Sequence, residues 1–227
     1  MVTLGLLLAF AVPSNAKSPA APAASLAYAA GPVTVETKAG THPGTKGEPL
    51  ADGDAVATGA GATALVALAD GSRLKLKETS RVVLTLPTAK APATSILLTL
   101  GGVFAKVTKR AAGSEFRVRT PTAVAAVRGT RFFTAYGREV KNAKGAHDLW
   151  VCVDEGVVDV GTDSAAKPLP VPAGKGVLIK SGLDLTKPQA YDWTKKLNWN
   201  MDPDAGTVED KTNLDAAYSD LLDQDYH

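Results

Sequence analysis

The sequence predicts an all-β protein, a sandwich or an irregular solenoid-like stack of short strands, closed by a short C-terminal helical tail. Three observations carry this. From Gly31 to about Lys180 short β-branched runs follow one another, among them "TALVAL", "RVVLTL", "EFRVRT" and "GVLIKS". Gly or Asp-Gly punctuates these runs, which number about thirteen. After Lys180 the apolar period changes from two to that of a helix.

Several runs alternate cleanly. In "SRLKLKE" Leu74 and Leu76 face one side while Arg73, Lys75 and Lys77 face the other, the pattern of a half-buried strand with solvated cations. "EFRVRT" sets Phe116 and Val118 against Arg117 and Arg119 in the same way. Asp52-Gly53 and Asp70-Gly71 read as turns, because Asp tolerates the left-handed region and Gly supplies positive φ. The glycines at 53, 71, 102, 129, 156 and 176 are too unevenly spaced for a strict repeat protein.

In the tail, "TKPQAYDWTKKLNW" predicts a short helix after Pro188. "TNLDAAYSDLLDQ" places Leu214, Ala217, Tyr218, Leu221 and Leu222 at helical spacing, with Thr212 or Asn213 as the cap and Asp215 in the first turn. This last helix is expected to dock on the β body through Leu214, Tyr218, Leu221 and Leu222 or, undocked, to bind a partner.

At the other end, residues 1–16 read as a signal peptide without a basic start. Leu4 to Val12 are apolar but too few to span a bilayer, Pro13 breaks the run, and Ser14-Asn15-Ala16 prepares a cut before Lys17. Residues 17–30, rich in Pro, Ala and Ser, read as a flexible linker. The expected organisation is thus 1–16 signal, 17–30 linker, 31–180 β domain and 181–227 an acidic, partly helical extension. A periplasmic or secreted location follows, with no transmembrane anchor.

The net charge of +2 is unevenly distributed. Residues 191–227 hold nine acids and three lysines, −6, which leaves +8 on the remainder. Those cations are scattered singly along strands, so a solvated face is expected and not a nucleic-acid surface.

Reactive groups do not assemble into a site. Asp202, Asp204, Glu209 and Asp210 surround Gly206 but lack the length and the final bidentate Glu of a calcium loop, so an acidic solvated loop is expected. His42, His147 and His227 are dispersed. "GAGATA" at 59–64 lacks the Lys of a phosphate loop, and no Gly-x-Ser-x-Gly elbow occurs. Cys152, inside the apolar run "DLWVCVDE", is expected to be a buried inert thiol, an intermolecular disulfide being the alternative. Asp154 and Glu155 are adjacent in a strand and should face opposite sides, which excludes them as a glycosidase pair. No catalytic residue, cofactor or metal ligand is expected.

One cation stands out. In "TPTAVAAVRGTRFF" Arg128 interrupts small and β-branched residues, and it is expected to be buried, its guanidinium bonded to backbone carbonyls or an acid. The alternative is an anion nest, with Arg128 and Arg131 flanking the Gly129 N–H.

Taken in order, "GPVTVET" at 31–37, "LADGDAVATGAGATALVALADGSRLKLKETSRVVL" at 50–84, "LLTLGGVFAKV" at 97–107, "FRVRTPTAVAAVRGTRFF" at 116–133, "VCVDEGVVDV" at 151–160 and the closing "VPAGKGVLIK" resemble the FecR-domain family of exported bacterial proteins. The resemblance implies an all-β periplasmic or cell-surface module for binding or signalling, with no catalytic residues. It places Asp70, Gly71, Ser72, Thr120, Pro121, Arg128, Gly129 and Thr130 on the family's structural motif. The family's regulators of ferric-siderophore uptake carry a sigma-factor-binding segment and a transmembrane helix ahead of this domain; here a signal sequence precedes it directly. The expectation is a free-standing binding, scaffold or signalling module whose partner is another envelope protein or a polysaccharide. A polysaccharide-acting protein is the alternative.

Overall fold

The computed structural model describes residues 22–88, 92–108, 115–139, 147–162, 167–180 and 184–223. The expected signal peptide at 1–16 and the first part of the expected linker lie outside them. The strands are β1 (Ala24–Ala30), β2 (Val33–Thr37), β3 (Gly40–Pro43), β4 (Pro49–Leu50), β5 (Ala55–Thr58), β6 (Thr63–Leu68), β7 (Arg73–Leu76) and β8 (Ser80–Thr85). They continue with β9 (Thr94–Lys106), β10 (Phe116–Arg119), β11 (Ala123–Val127), β12 (Arg131–Glu139), β13 (His147–Glu155), β14 (Val157–Thr162), β15 (Leu169–Pro172), β16 (Gly176–Lys180) and β17 (Asp184–Leu185). Two helices follow, α1 (Asp192–Lys196) and α2 (Leu214–Asp223).

These strands form two sheets that share β9. Sheet A runs β4-β1-β6-β7-β9-β12-β13-β16-β17, and sheet B runs β3-β2-β5-β8-β9-β10-β11-β14-β15. Among the described residues only β9–β10 is parallel. The first half of β9 belongs to sheet B and its second half to sheet A, so the strand must turn from one layer to the other. Gly101, at φ 84°, makes that corner, and a Cβ there would meet the Ser80 Oγ at 2.2 Å. No other residue fits.

The alternation read from the sequence now has two destinations. Between the sheets Leu74, Leu76, Val103, Phe132, Val151 and Val177 of sheet A pack with Val35, Val56, Val82, Ile96, Val118 and Val158 of sheet B. On the outer face of sheet A the opposite parity, Leu65, Phe104, Phe133, Trp150, Cys152 and Leu178, forms a second core. The tail covers it with Tyr191, Leu197, Met201, Val208, Ala217, Tyr218 and Leu221. The order of layers is therefore sheet B, sheet A, tail.

One boundary is corrected. Residues 24–30, expected as linker, are β1, paired along β6 from Ala24↔Leu68 to Ala30↔Thr63. Ala24 and Leu26 are buried, since small side chains let the strand lie close on the core although its composition resembles a linker. Among the described residues no helix is long and apolar enough to cross a membrane.

Candidate binding site

Two pieces of the sequence motif meet at one end of the sandwich. In the Asp70–Ser72 turn the Ser72 N–H donates to Asp70 Oδ1 at 2.9 Å, around Gly71 at φ 83°. The buried Ser72 Oγ accepts the Thr108 N–H at 3.2 Å, and the Thr108 hydroxyl donates to the Asp70 carbonyl at 3.0 Å. Next door the Val107 N–H donates to the Thr130 carbonyl at 2.8 Å. Val107 and Thr108 thus tie this turn to Arg128-Gly129-Thr130. Thr120 and Pro121 are elsewhere, at the far end of β11, where Thr120 Oγ1 accepts the Ala123 N–H at 3.0 Å and shapes the entry to the strand.

Arg128 is not buried. Its side chain is 59% exposed, and its one ion pair among the described residues is with Glu115 Oε1 at 3.4 Å. Glu115 is more closely held by Arg117, at 2.8 Å, and Arg117 first and Arg128 second keep its carboxyl below the ordinary range. The physical reason is parity: Val127 points into the core, so the next residue points out as the strand ends. Arg128 stands over an open concavity of about 480 Å³ shared with Glu115, Gly129, Thr130, Val157 and Asp159. Val157 is 48% exposed, a large apolar side chain in water.

The anion nest fails as well. Arg131 turns away from Arg128 and pairs with Asp154 and, at 2.7 Å, with Glu155. This corrects a second expectation, that these adjacent acids face opposite sides. A bulge, Arg131↔Glu155 followed by Phe132↔Val153, brings both carboxylates to one guanidinium. Both are ion-paired there.

The largest departure lies under the tail. Lys75 and Lys77, expected in solvent, are 0% and 2% exposed. Lys75 Nζ donates to the carbonyls of Asn198 at 2.5 Å and Asn200 at 2.9 Å, 4.2 Å from the Phe104 ring centroid. Lys77 Nζ donates to the Asp210 carbonyl at 2.7 Å and to its Oδ1 at 2.5 Å. Burial pushes the Lys75 ammonium down to about 8, opposed by the field of Asp210. Burial alone would raise the Asp210 carboxyl, but the Lys77 ammonium and the N–H groups of Asn198 and Thr212 hold it below the ordinary range.

The loop from Asn200 to Asn213 is therefore not simply solvated. Asp202 accepts the Asp204 N–H, Glu209 Oε1 accepts the Tyr28 hydroxyl at 2.8 Å, and Asp210 is enclosed. These acids do different jobs, and among the described residues no group of three or more His, Cys, Asp or Glu could hold a metal.

Beyond the loop Asn213, not Thr212, caps α2, its Oδ1 accepting the Ala216 N–H at 3.0 Å. Ala217, Tyr218 and Leu221 are buried and Leu214 is half-buried. The Tyr218 hydroxyl donates to the Ala135 carbonyl at 2.7 Å, and Trp193 Nε1 donates to Asp220 at 2.6 Å to join the two helices. The stripe packs into the protein's own second core, the docked one of the two arrangements expected for this helix; the Leu222 side chain lies outside the described residues. Cys152 is sealed beneath the same layer with its thiol pushed far up by burial, so it is closed to a disulfide partner.

Nothing in the sequence marked Lys75 and Lys77 as different from Arg73. The available signal was on the neighbouring strands, where "RFFTAY", "LWVCV" and "GVLI" are apolar at both parities, as strands covered on both faces are.

Comparison with known proteins gives three findings. The family model described as FecR protein matches residues 54–159. Two crystal structures of a candidate anti-sigma factor from Parabacteroides distasonis ATCC 8503, at 1.65 and 2.50 Å resolution, superpose with a TM-score of 0.52 at 16% identity, over 74% of this chain and 72% of that one. No curated protein matches. The structural likeness concerns the fold. The matched sequence spans both the Asp70–Ser72 and Arg128–Thr130 turns, so residues 54–159 are similar to a FecR domain.

Proposed function

We propose that this chain is a scaffold that docks another envelope protein through the end bearing Asp70–Ser72 and Arg128–Thr130. The observation that carries the reading is the exposure of Arg128. Among the described residues the fold uses this side chain for a single 3.4 Å contact, which leaves most of its donors for an incoming carboxylate or carbonyl. Arg is a residue around which interface energy concentrates, and Val157 beside it offers an apolar contact. The apolar part of the outer face of sheet A is not a competing surface, because the protein's own tail covers it.

The test is a photo-crosslinking residue at Val157 in the native envelope. A discrete protein adduct is expected, weakened about tenfold or more by Arg128→Glu. The same substitution should shift stability by no more than about 0.5 kcal/mol, as at other exposed positions. An adduct indifferent to Arg128→Glu, or no adduct, overturns the proposal.

A further inference from the structure

We infer that sheet A carries a binding site for an acidic saccharide where its outer face emerges from under the tail, at a cross-strand row of three cations. Arg73 on β7, Lys106 on β9 and Arg131 on β12 are mutual register partners, Arg73↔Lys106 and Arg131↔Lys106. Partners directly opposite in antiparallel strands project to the same face. The row one step inward, Lys75, Phe104 and Phe133, lies beneath the tail. The cationic row is the first one outside it.

Like charges directly opposite one another are destabilising, and here Lys106 has a cation on each side. Arg131 is committed to Asp154 and Glu155, and Arg73 donates to the Met201 carbonyl at 2.9 Å. Lys106 is exposed and has no carboxylate partner among the described residues. All three line a concavity of about 570 Å³ together with Thr108, Trp199 and Asp202. Its volume suits one or two sugar rings.

The remaining walls select the ligand. The Trp199 indole is held rigid, its N–H on the Thr194 carbonyl at 3.2 Å and its ring edge-on to Phe104 at 5.4 Å between centroids. It gives a sugar ring an apolar wall. Thr108 and the exposed Asp202 are hydroxyl partners. Asp202, with Asp154 and Glu155 close to Arg131, disfavours a densely charged phosphate polymer. A uronic acid brings one carboxylate for Lys106 and Arg73 and hydroxyls for Asp202, which matches this mixture. The site is separate from the Arg128 concavity and does not depend on it.

The full chain titrated with tetragalacturonate, followed by amide chemical shifts and calorimetry, tests the inference. Saturable binding is expected, with shifts around residues 106–108 and 199–202. Lys106→Gln, at an exposed position, should weaken it about tenfold or more without altering the fold. A neutral galactose tetramer should bind at least about tenfold more weakly, and inorganic sulfate at equal ionic strength should not compete. Arg128→Glu should leave binding unchanged. Absence of binding, equal affinity for the neutral sugar, displacement by sulfate, insensitivity to Lys106→Gln or loss through Arg128→Glu each overturns it.

Discussion

On the outer face of sheet B, Arg81 meets Glu36 at 2.6 Å and Arg117 meets Glu115 at 2.8 Å, with the arginine side chains 36% and 48% exposed. On the outer face of sheet A, Lys75 and Lys77 are enclosed, and their partners are backbone carbonyls and a single carboxylate contributed from more than a hundred residues away. The local pattern is the same in both places, a cation alternating with an aliphatic residue along a strand. What differs is the third layer. Water solvates a surface cation whichever partner it finds, so the partner adds little. Under the tail water is excluded, and an ammonium without carbonyl or carboxylate partners would be costly. The two lysines therefore fix where the tail can lie, because Asn198, Asn200 and Asp210 must arrive above them.

The strongest way to break this contrast is to remove one member of the buried pair. Asp210→Ala leaves the Lys77 ammonium enclosed and uncompensated and should destabilise by about 3–5 kcal/mol in urea unfolding. Replacing both members, Lys77→Met with Asp210→Leu, should recover much of that loss. A loss below about 1 kcal/mol for Asp210→Ala would place Lys77 in the same class as the surface arginines.

Lys75 sharpens the contrast through pH. Its folded pKa of about 8 lies below the ordinary 10.5. Below about pH 8 folded and unfolded chains both hold the proton, and the folded state bears the full cost of an enclosed charge. Between about 8 and 10.5 the folded chain gives up the proton while the unfolded chain keeps it, so this group's contribution to stability rises with pH. Cys152 acts in the opposite sense, because its enclosed thiol stays protonated while an unfolded thiol ionises above about pH 8.5. Comparison with Lys75→Met, which keeps Cys152, separates the two. Relative to that variant the wild type should gain about 3 kcal/mol between about pH 7.5 and 10.5. Parallel stability curves would mean that Lys75 is hydrated.

A smaller effect is expected at the far end of the tail. Tyr218→Phe removes the bond to the Ala135 carbonyl while keeping the ring, and should cost about 1 kcal/mol. Amide exchange across α2 should quicken about fivefold, whereas sheet B should be unaffected. The smallest is Arg81→Ala on the solvated face, below about 1 kcal/mol and fading with added salt.

How far the sequence could be read depends on the range of the interaction concerned. Alternation in "EFRVRT", the Asp-Gly turns and the period of α2 all arise within a few residues, and each is seen in the structure. Arg128 lies in an apolar neighbourhood yet is exposed, because its place one residue after the inward Val127 and next to Gly129 sets it on a turn. Asp154 and Glu155 depart from strand parity because parity holds only until a bulge resets it, and the bulge is decided by pairing with β12. β1 is not legible in the sequence because Ala-rich composition does not reveal that a neighbouring strand edge pairs with it.

By itself the sequence determined that the chain is β-rich with a helical end, which parity faces the space between the sheets, and which turns carry the family motif. These follow from local sterics and from the need to bury one face of every strand. Only the tertiary structure decided that sheet A is covered on both sides, that Lys75 and Lys77 lie under the tail, and that Arg73, Lys106 and Arg131 stand in one row at its edge. A strand's sequence specifies the two faces it presents. What covers each face is set by segments more than a hundred positions away, whose carbonyls and carboxylates have no signature in the strand they meet.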